Sequence, residues 1–294
     1  MPPQPNVPSV PRRQVAHILS RLHKESGLYI KDVAEQINLH HTTVSKMLKG
    51  EPCNLKPIYI DKLCEIYRVG PALKRELKAL AAEAEEARGW WHDIGDVEST
   101  NQLSTFIALE RSATAFFVYQ NARIPGLLQC EDYARSLLST SPDTEPEDVE
   151  RYVELRMSRQ TLLTESKPKL DVILDECVLH RALADPEMAK RQLNQILATS
   201  KLSNVRFRLV PFDVGLYHGT DTGPFMILEF GGAIGIEPEP PVVYVESGVG
   251  STLYFDKTDQ VSRYRRSWAD IEKSALSVSK TRAYLSKIAK ELPR

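Results

Sequence analysis

The residues best able to hydrogen-bond and carry charge together crowd into one short stretch, residues 38–50, NLHHTTVSKMLKG. It has the look of a short helix able to enter a DNA groove, or of a packed helix in an ordinary core. Other groupings are sparser. Asp175 and Glu176 adjoin in VILDE, and a carboxylate pair can do general acid–base work. Neighbours on a strand point to opposite faces, however, and Glu176 is expected to start the following helix. His218 and Asp221 lie in the Gly-rich turn GLYHGTDTG and are candidates for contact with a ligand or partner, or members of a solvated loop. Trp90 and Trp91 are either an aromatic platform for a ligand or an apolar pin for a linker. Ser247 in VESGVG lacks the Gly-x-Ser-x-Gly elbow, and the chain has no Walker loop, no Gly-x-Gly-x-x-Gly and no His-Glu-x-x-His. The expectation is therefore no enzymatic activity and no cofactor. His40 and His41 are adjacent, so on a helix they face different ways, and no thiolate or carboxylate stands in pattern with them; no metal site is expected.

Bulk properties narrow the class. A chain of 294 residues, 42% hydrophobic and 26% charged, has room for two domains and the composition of a globular protein. No apolar run approaches the ~18 residues of a membrane span. The start, MPPQPNVPSVP, lacks the basic and apolar regions of a signal peptide and reads as a disordered arm over residues 1–11. Cys53, Cys64, Cys130 and Cys177 are scattered without a C-x-x-C pair. That argues for reduced thiols in a cytoplasm. The net charge of −1 hides an asymmetry: residues 1–70 hold ten Lys/Arg against six Asp/Glu, which is +4 and leaves −5 for the rest. A modest positive surplus fits phosphate contact.

The elements that would position the first stretch are helical. Val15, Ile18, Leu19 and Leu22 recur at helical spacing, and Gly27 is placed as a stop. A short helix follows over 30–37 with Val33, Ala34 and Ile37 inward. Asn38 takes the turn, where a left-handed residue is often required. Residues 42–49 make a third helix, closed by Gly50, with Val44, Met47 and Leu48 inward. Two more helices are expected over 57–67 and 71–87, each opening on proline.

Five short helices with a tight turn between the second and third form the helix-turn-helix pattern. The spacing of Ala34, Asn38, Val44 and Gly50 resembles the Xre/Cro-type phage-repressor DNA-binding family over residues 12–70. The resemblance implies that the third helix lies in the major groove of a pseudo-palindromic double-stranded operator, bound by a homodimer. It implies His41, Thr42, Thr43 and Lys46 as base contacts, and Lys31, Lys49 and Lys56 as phosphate contacts. Three positions depart from the family: Ile30 where a Gln often contacts the backbone of DNA, His40 where a Ser or Thr usually caps the helix, and Leu48 where Glu is common.

The rest of the chain mixes helices with strands. TAFFVYQ and KLDVILDE read as strands between helices. VRFRLVPF, PFMILEF, PVVYVES and STLYFD follow, with glycine-bearing turns among them. In the first of these four, Val205, Phe207 and Leu209 share one face, and Arg206 and Arg208 the other. Two helices close the chain. The expected fold is an all-α five-helix helix-turn-helix domain over 12–88, a linker over 89–98, and an α+β domain over 99–294. In the latter, a mainly antiparallel sheet is packed by helices. GWWHDIGDV, RIPGLLQCEDYARSLL, LRMSRQ, VILDECVLHRAL and VVYVES occur in an order similar to that of the actinobacterial WhiJ-like Xre regulators, whose second half is a domain of unknown function. Cys130 stands where that family commonly has Thr. The likeness implies a cytoplasmic, toxin–antitoxin-like transcriptional regulator with a small companion protein encoded nearby. The alternative is a protein- or ligand-binding module whose DNA domain binds weakly or without sequence preference.

Overall fold

The structure is a computed structural model that describes residues 10–86, 100–142, 144–182, 184–231, 238–246 and 252–292. The chain forms two compact units. One ends at Ser112 and takes in segment 230–239; the other runs from Ala113 to Glu229 and from Pro240 onward.

The first unit is helical: α1 (Val10–Ser26), α2 (Ile30–Ile37), α3 (His41–Lys49), α4 (Pro57–Ile66), α5 (Pro71–Glu86) and α6 (Thr100–Ser112). The stops are those the sequence asks for. Gly27 and Gly50 have φ of +66° and +71°, and Asn38 sits at φ 57°, ψ 49°. This left-handed region costs a Cβ-bearing residue strain that glycine escapes and asparagine tolerates. Val15, Ile18 and Leu19 of α1 meet Val33, Ala34 and Ile37 of α2 and Val44 and Met47 of α3 in one core, which Ile60, Leu63 and Leu77 complete. Ile58 lies outside it and is exposed. Cys64 is inside, and burial pushes its thiol up to about 11, so it is inert at neutral pH.

Two arginines counted in the basic surplus face inward. Arg12 is 5% exposed. It donates to Glu85 at 2.8 Å and to the carbonyl of Glu51 at 3.4 Å, while the backbone N–H of Leu55 donates to the same Glu85 oxygen at 3.1 Å. One ion pair thus ties α1, α5 and the α3–α4 loop. Arg13 pairs with buried Glu239 at 2.7 Å.

The second unit contains β1 (Ala113–Gln120), α7 (Glu131–Leu138), α8 (Val149–Arg159), β2 (Lys169–Asp175), α9 (Glu176–Ala182), α10 (Pro186–Thr199) and β3 (Val205–Val210). After these come α11 (Gly219–Thr222), β4 (Phe225–Phe230), β5 (Val242–Glu246), β6 (Thr252–Phe255), α12 (Thr258–Ser274) and α13 (Val278–Glu291). The strands form one sheet in the order β3-β2-β1-β4-β5-β6. Val118 pairs with Val172 and Val172 with Phe207, both in parallel; Ile227 pairs with Val243 and Tyr244 with Tyr254, both antiparallel. The sheet is therefore mixed, not mainly antiparallel as the sequence reading has it. The reason is connection length. Helices separate β1 from β2 and β2 from β3, and such crossovers return the chain in the same direction, whereas short links reverse it.

Alternation in β3 holds, but its two arginines do not share solvent. Arg208 is buried: it bonds Asp171 at 2.8 Å and Glu272 of α12 at 2.5 Å, and it lies 5.8 Å from the Trp268 ring. Arg206 stays exposed and joins the same two carboxylates. The outer edge of β3 is closed by the chain entering α13, where the Leu276 N–H donates to Leu209 O and the Thr281 hydroxyl accepts from Leu209 N. Three glutamines fix the loop over 123–130. The Gln129 amide donates to Ile124 O, that of Gln160 to Gly126 O, and that of Gln192 to Leu128 O.

Two outcomes follow for stability. Glu85→Ala leaves the Arg12 charge buried, so denaturant unfolding of the full chain should report a loss of about 3 kcal/mol; a change under ~0.5 kcal/mol would place the weight of that junction elsewhere. Burial lowers the His23 pKa, and its Nδ1 lies 3.1 Å from the Tyr67 hydroxyl. A histidine depressed in the folded state gives stability that is present above its ordinary pKa of ~6.5 and is lost as the pH falls below it. His23→Gln should therefore flatten the fall of the unfolding midpoint between pH 7 and pH 5.

Candidate nucleic-acid interface

The recognition face is built by subtraction. Val44, Met47 and Leu48 anchor α3 in the core. What remains outward are His41, Thr42, Ser45, Lys46 and Lys49, the spacing of one face of a helix. His41, Thr42, Lys46 and Lys49 are exposed, and Thr43 is half-buried. Ser20 of α1 donates to the carbonyl of Leu48 at 2.6 Å, pinning the far end of α3. Leu48 is thus a packing residue at a position where the family resemblance implies an acid. Lys31 near the start of α2 and Lys56 ahead of α4 are exposed as well. Among the described residues, no ion pair engages Lys31, Lys46, Lys49 or Lys56. Cations without an internal carboxylate partner are available to displace counterions from phosphates.

His40 does the capping where a Ser or Thr usually stands. It is the N-cap of α3, and its Nδ1 accepts from the Thr42 N–H at 3.4 Å. It also lies 2.8 Å from the Thr42 hydroxyl. The rings of His40 and His41 are 4.3 Å apart. They lie together because His40 precedes the helix, so the rule for helical neighbours does not govern it. Among the described residues, no group of three or more His, Cys, Asp or Glu could hold a metal ion.

Sequence reasoning passed over three residues. In the sequence His40 stands out as an unusual helix start and as half of an adjacent histidine pair, not as a partner of Thr42. Ser45 shares the outward face, and its signal was the spacing from His41 and Thr42. Tyr29 is the N-cap of α2 and is 78% exposed, so its hydroxyl supplies a donor beside Ile30, which packs against the core. The signal there was an aromatic with a polar tip directly ahead of a helix start.

The candidates in the second half are not gathered. Trp90, Trp91 and Ser247 lie outside the described residues. His218 is exposed and bonds Ser267 of α12 at 2.9 Å, while Asp221 is exposed in α11. Asp175 ends β2 and Glu176 starts α9, as the strand argument requires. Their carboxylates serve different neighbours. Asp175 accepts from the Tyr217 hydroxyl at 2.5 Å, and Tyr217 in turn lies 2.7 Å from the Tyr119 hydroxyl. Buried Glu176 accepts from the Phe212 N–H at 2.7 Å and from the Tyr284 hydroxyl. Burial, with lesser contributions from neighbouring groups including Asp175, pushes Tyr119 and the Cys177 thiol up to about 12 each. These groups are held neutral in a bonded network.

Comparison with known families gives the class first. A Cro/C1-type HTH DNA-binding domain matches residues 18–72, spanning α2, α3 and α4 and most of α1. The chain is thus a DNA-binding helix-turn-helix regulator. It belongs to the family of the domain of unknown function DUF5753, whose model matches residues 103–287, more than half of the chain. No curated protein and no solved structure matches it. No helix among the described residues is long and apolar enough to cross a membrane.

The lysines can be told apart by salt. Lys49→Ala should weaken binding to every duplex and flatten the slope of log K against log salt by about one. Lys46→Ala should instead relax preference at one base step. Filter binding over a salt series distinguishes them, and an unchanged slope for Lys49→Ala would remove it from the phosphate contacts.

Proposed function

We propose that the chain is a sequence-specific transcriptional regulator, repressor-like or antitoxin-like, that works in the cytoplasm as a homodimer on a pseudo-palindromic operator. The carrying observation is the outward face of α3. Its hydroxyls, imidazole and exposed lysines stand on a helix whose opposite face is locked in the core. This is the arrangement that lets a helix meet base edges without unfolding the domain that holds it. A dimer doubles the contacts over half-sites about 34 Å apart. The second unit binds a small companion protein or ligand and does no chemistry, in keeping with a WhiJ-like actinobacterial regulator. The adjacent carboxylates Asp175 and Glu176 are engaged with tyrosines and backbone amides.

A second reading has one observation in its favour. Arg12 and Arg13 are bound to Glu85 and Glu239, so the surface of the first unit is less basic than its sequence. A weaker field favours a partner-binding module with sequence-blind DNA contact.

A gel-shift titration on the chain's own upstream DNA and on a scrambled duplex, at two salt concentrations, separates the two. The regulator reading expects a specific complex that persists at the higher salt, with a mass corresponding to two chains on one duplex. Equal affinity for both duplexes, vanishing with salt, would sink it in favour of the module.

A further inference from the structure

The contact between His40 and Thr42 carries more than a cap. A backbone N–H can only donate, so the His40 Nδ1 that receives the Thr42 N–H presents a lone pair, and the ring proton of the neutral imidazole sits on Nε2. That same Nδ1 is 2.8 Å from Thr42 Oγ1, the shorter of the two approaches. On that tautomer the threonine hydroxyl donates to the same Nδ1, sharing its lone pair with the backbone N–H. Its hydrogen is turned inward, and only its oxygen lone pairs face outward. The neighbouring His41 ring lies against that of His40, with centroids 4.3 Å apart.

We propose that His40 is a positioning residue that fixes the hydrogen-bond polarity of Thr42, making it an acceptor-only reader of the major groove. An acceptor meets the exocyclic amino groups of adenine (N6) or cytosine (N4); it is opposed by guanine O6 and N7 and by thymine O4. Thr42 on its own would choose either polarity by rotating its hydroxyl. The preference at its base position is set by a side chain two residues away. The proposal rests on the DNA-reading function of α3.

The test is selection of a randomised duplex library by the full chain, followed by sequencing of the bound fraction. The parent should favour A or C over G or T about fivefold at one position, as one neutral hydrogen bond gives. His40→Ala should erase that preference and leave the others intact. His40→Asn keeps an acceptor at the cap, which Asn serves well, and should retain the preference and the fold. Thr42→Val should lose the preference at the same position, and adding His40→Ala to it should change nothing further there. Uniform weakening by His40→Ala with every base preference preserved would overturn the proposal and leave His40 a cap alone. So would a parental preference for G or T at the position lost in Thr42→Val. A parent with no base preference anywhere would overturn the DNA-reading function itself, and this inference with it.

Discussion

A helix of nine residues is too short to persist in water, because the entropy of nucleation is not recovered over two and a half turns. Everything the first unit can offer to DNA depends on α3 borrowing stability from the residues beneath it. Val44, Met47 and Leu48 insert into a core supplied by α1, α2, α4 and α5, and the left-handed turn at Asn38 brings the chain back at the angle this insertion needs. The outward face is free to carry polar groups because the inward face and the two ends of the helix hold it in place. A binding surface of this kind is preorganised: the side chains are positioned before a ligand arrives, and less ordering cost falls on binding.

Charge is divided by the same logic. Guanidinium groups tolerate burial when their fork is matched by carboxylates and carbonyls, and Arg12, Arg13 and Arg208 are used in that way. The ammonium groups around α3 are left in solvent. A lysine is a compact, strongly hydrated point charge on a flexible stem, suited to phosphate approach and poorly suited to a dry interior. The basic surplus read from composition is therefore an upper bound on the surface charge, and what reaches solvent is mostly lysine.

The second unit joins two modes of sheet building. β1, β2 and β3 are parallel and joined through helices, while β4, β5 and β6 run in antiparallel sequence at the other side. Trp268 and Ile271 of α12 cover one face across both parts, over Tyr119, Ile173, Val210, Ile227 and Val243. At the ends of β1 and β2, the tyrosine and carboxylate groups bond to one another and to the backbone. Their environment holds the phenols protonated and ties the carboxylates down.

The sequence by itself determined what is local. Helix bounds in the first unit, the stops at Gly27, Asn38 and Gly50, the inward positions of α2 and α3 and the strand status of β1 to β6 all follow from periodicity and backbone sterics within a few residues. The exposure of Lys46 and Lys49 follows too, since a helix with one apolar face has only one face left. Tertiary structure alone decided what depends on partners distant in the chain. Arg12 meets Glu85 and Arg208 meets Asp171 across long separations, so no local pattern separates them from surface cations. Strand direction depends on how each connection packs, not on the strand's own residues. The role of His40 lay between the two. Its partner is two residues away, yet only coordinates show the ring nitrogen turned toward the hydroxyl, because χ angles are set by packing and not by residue type.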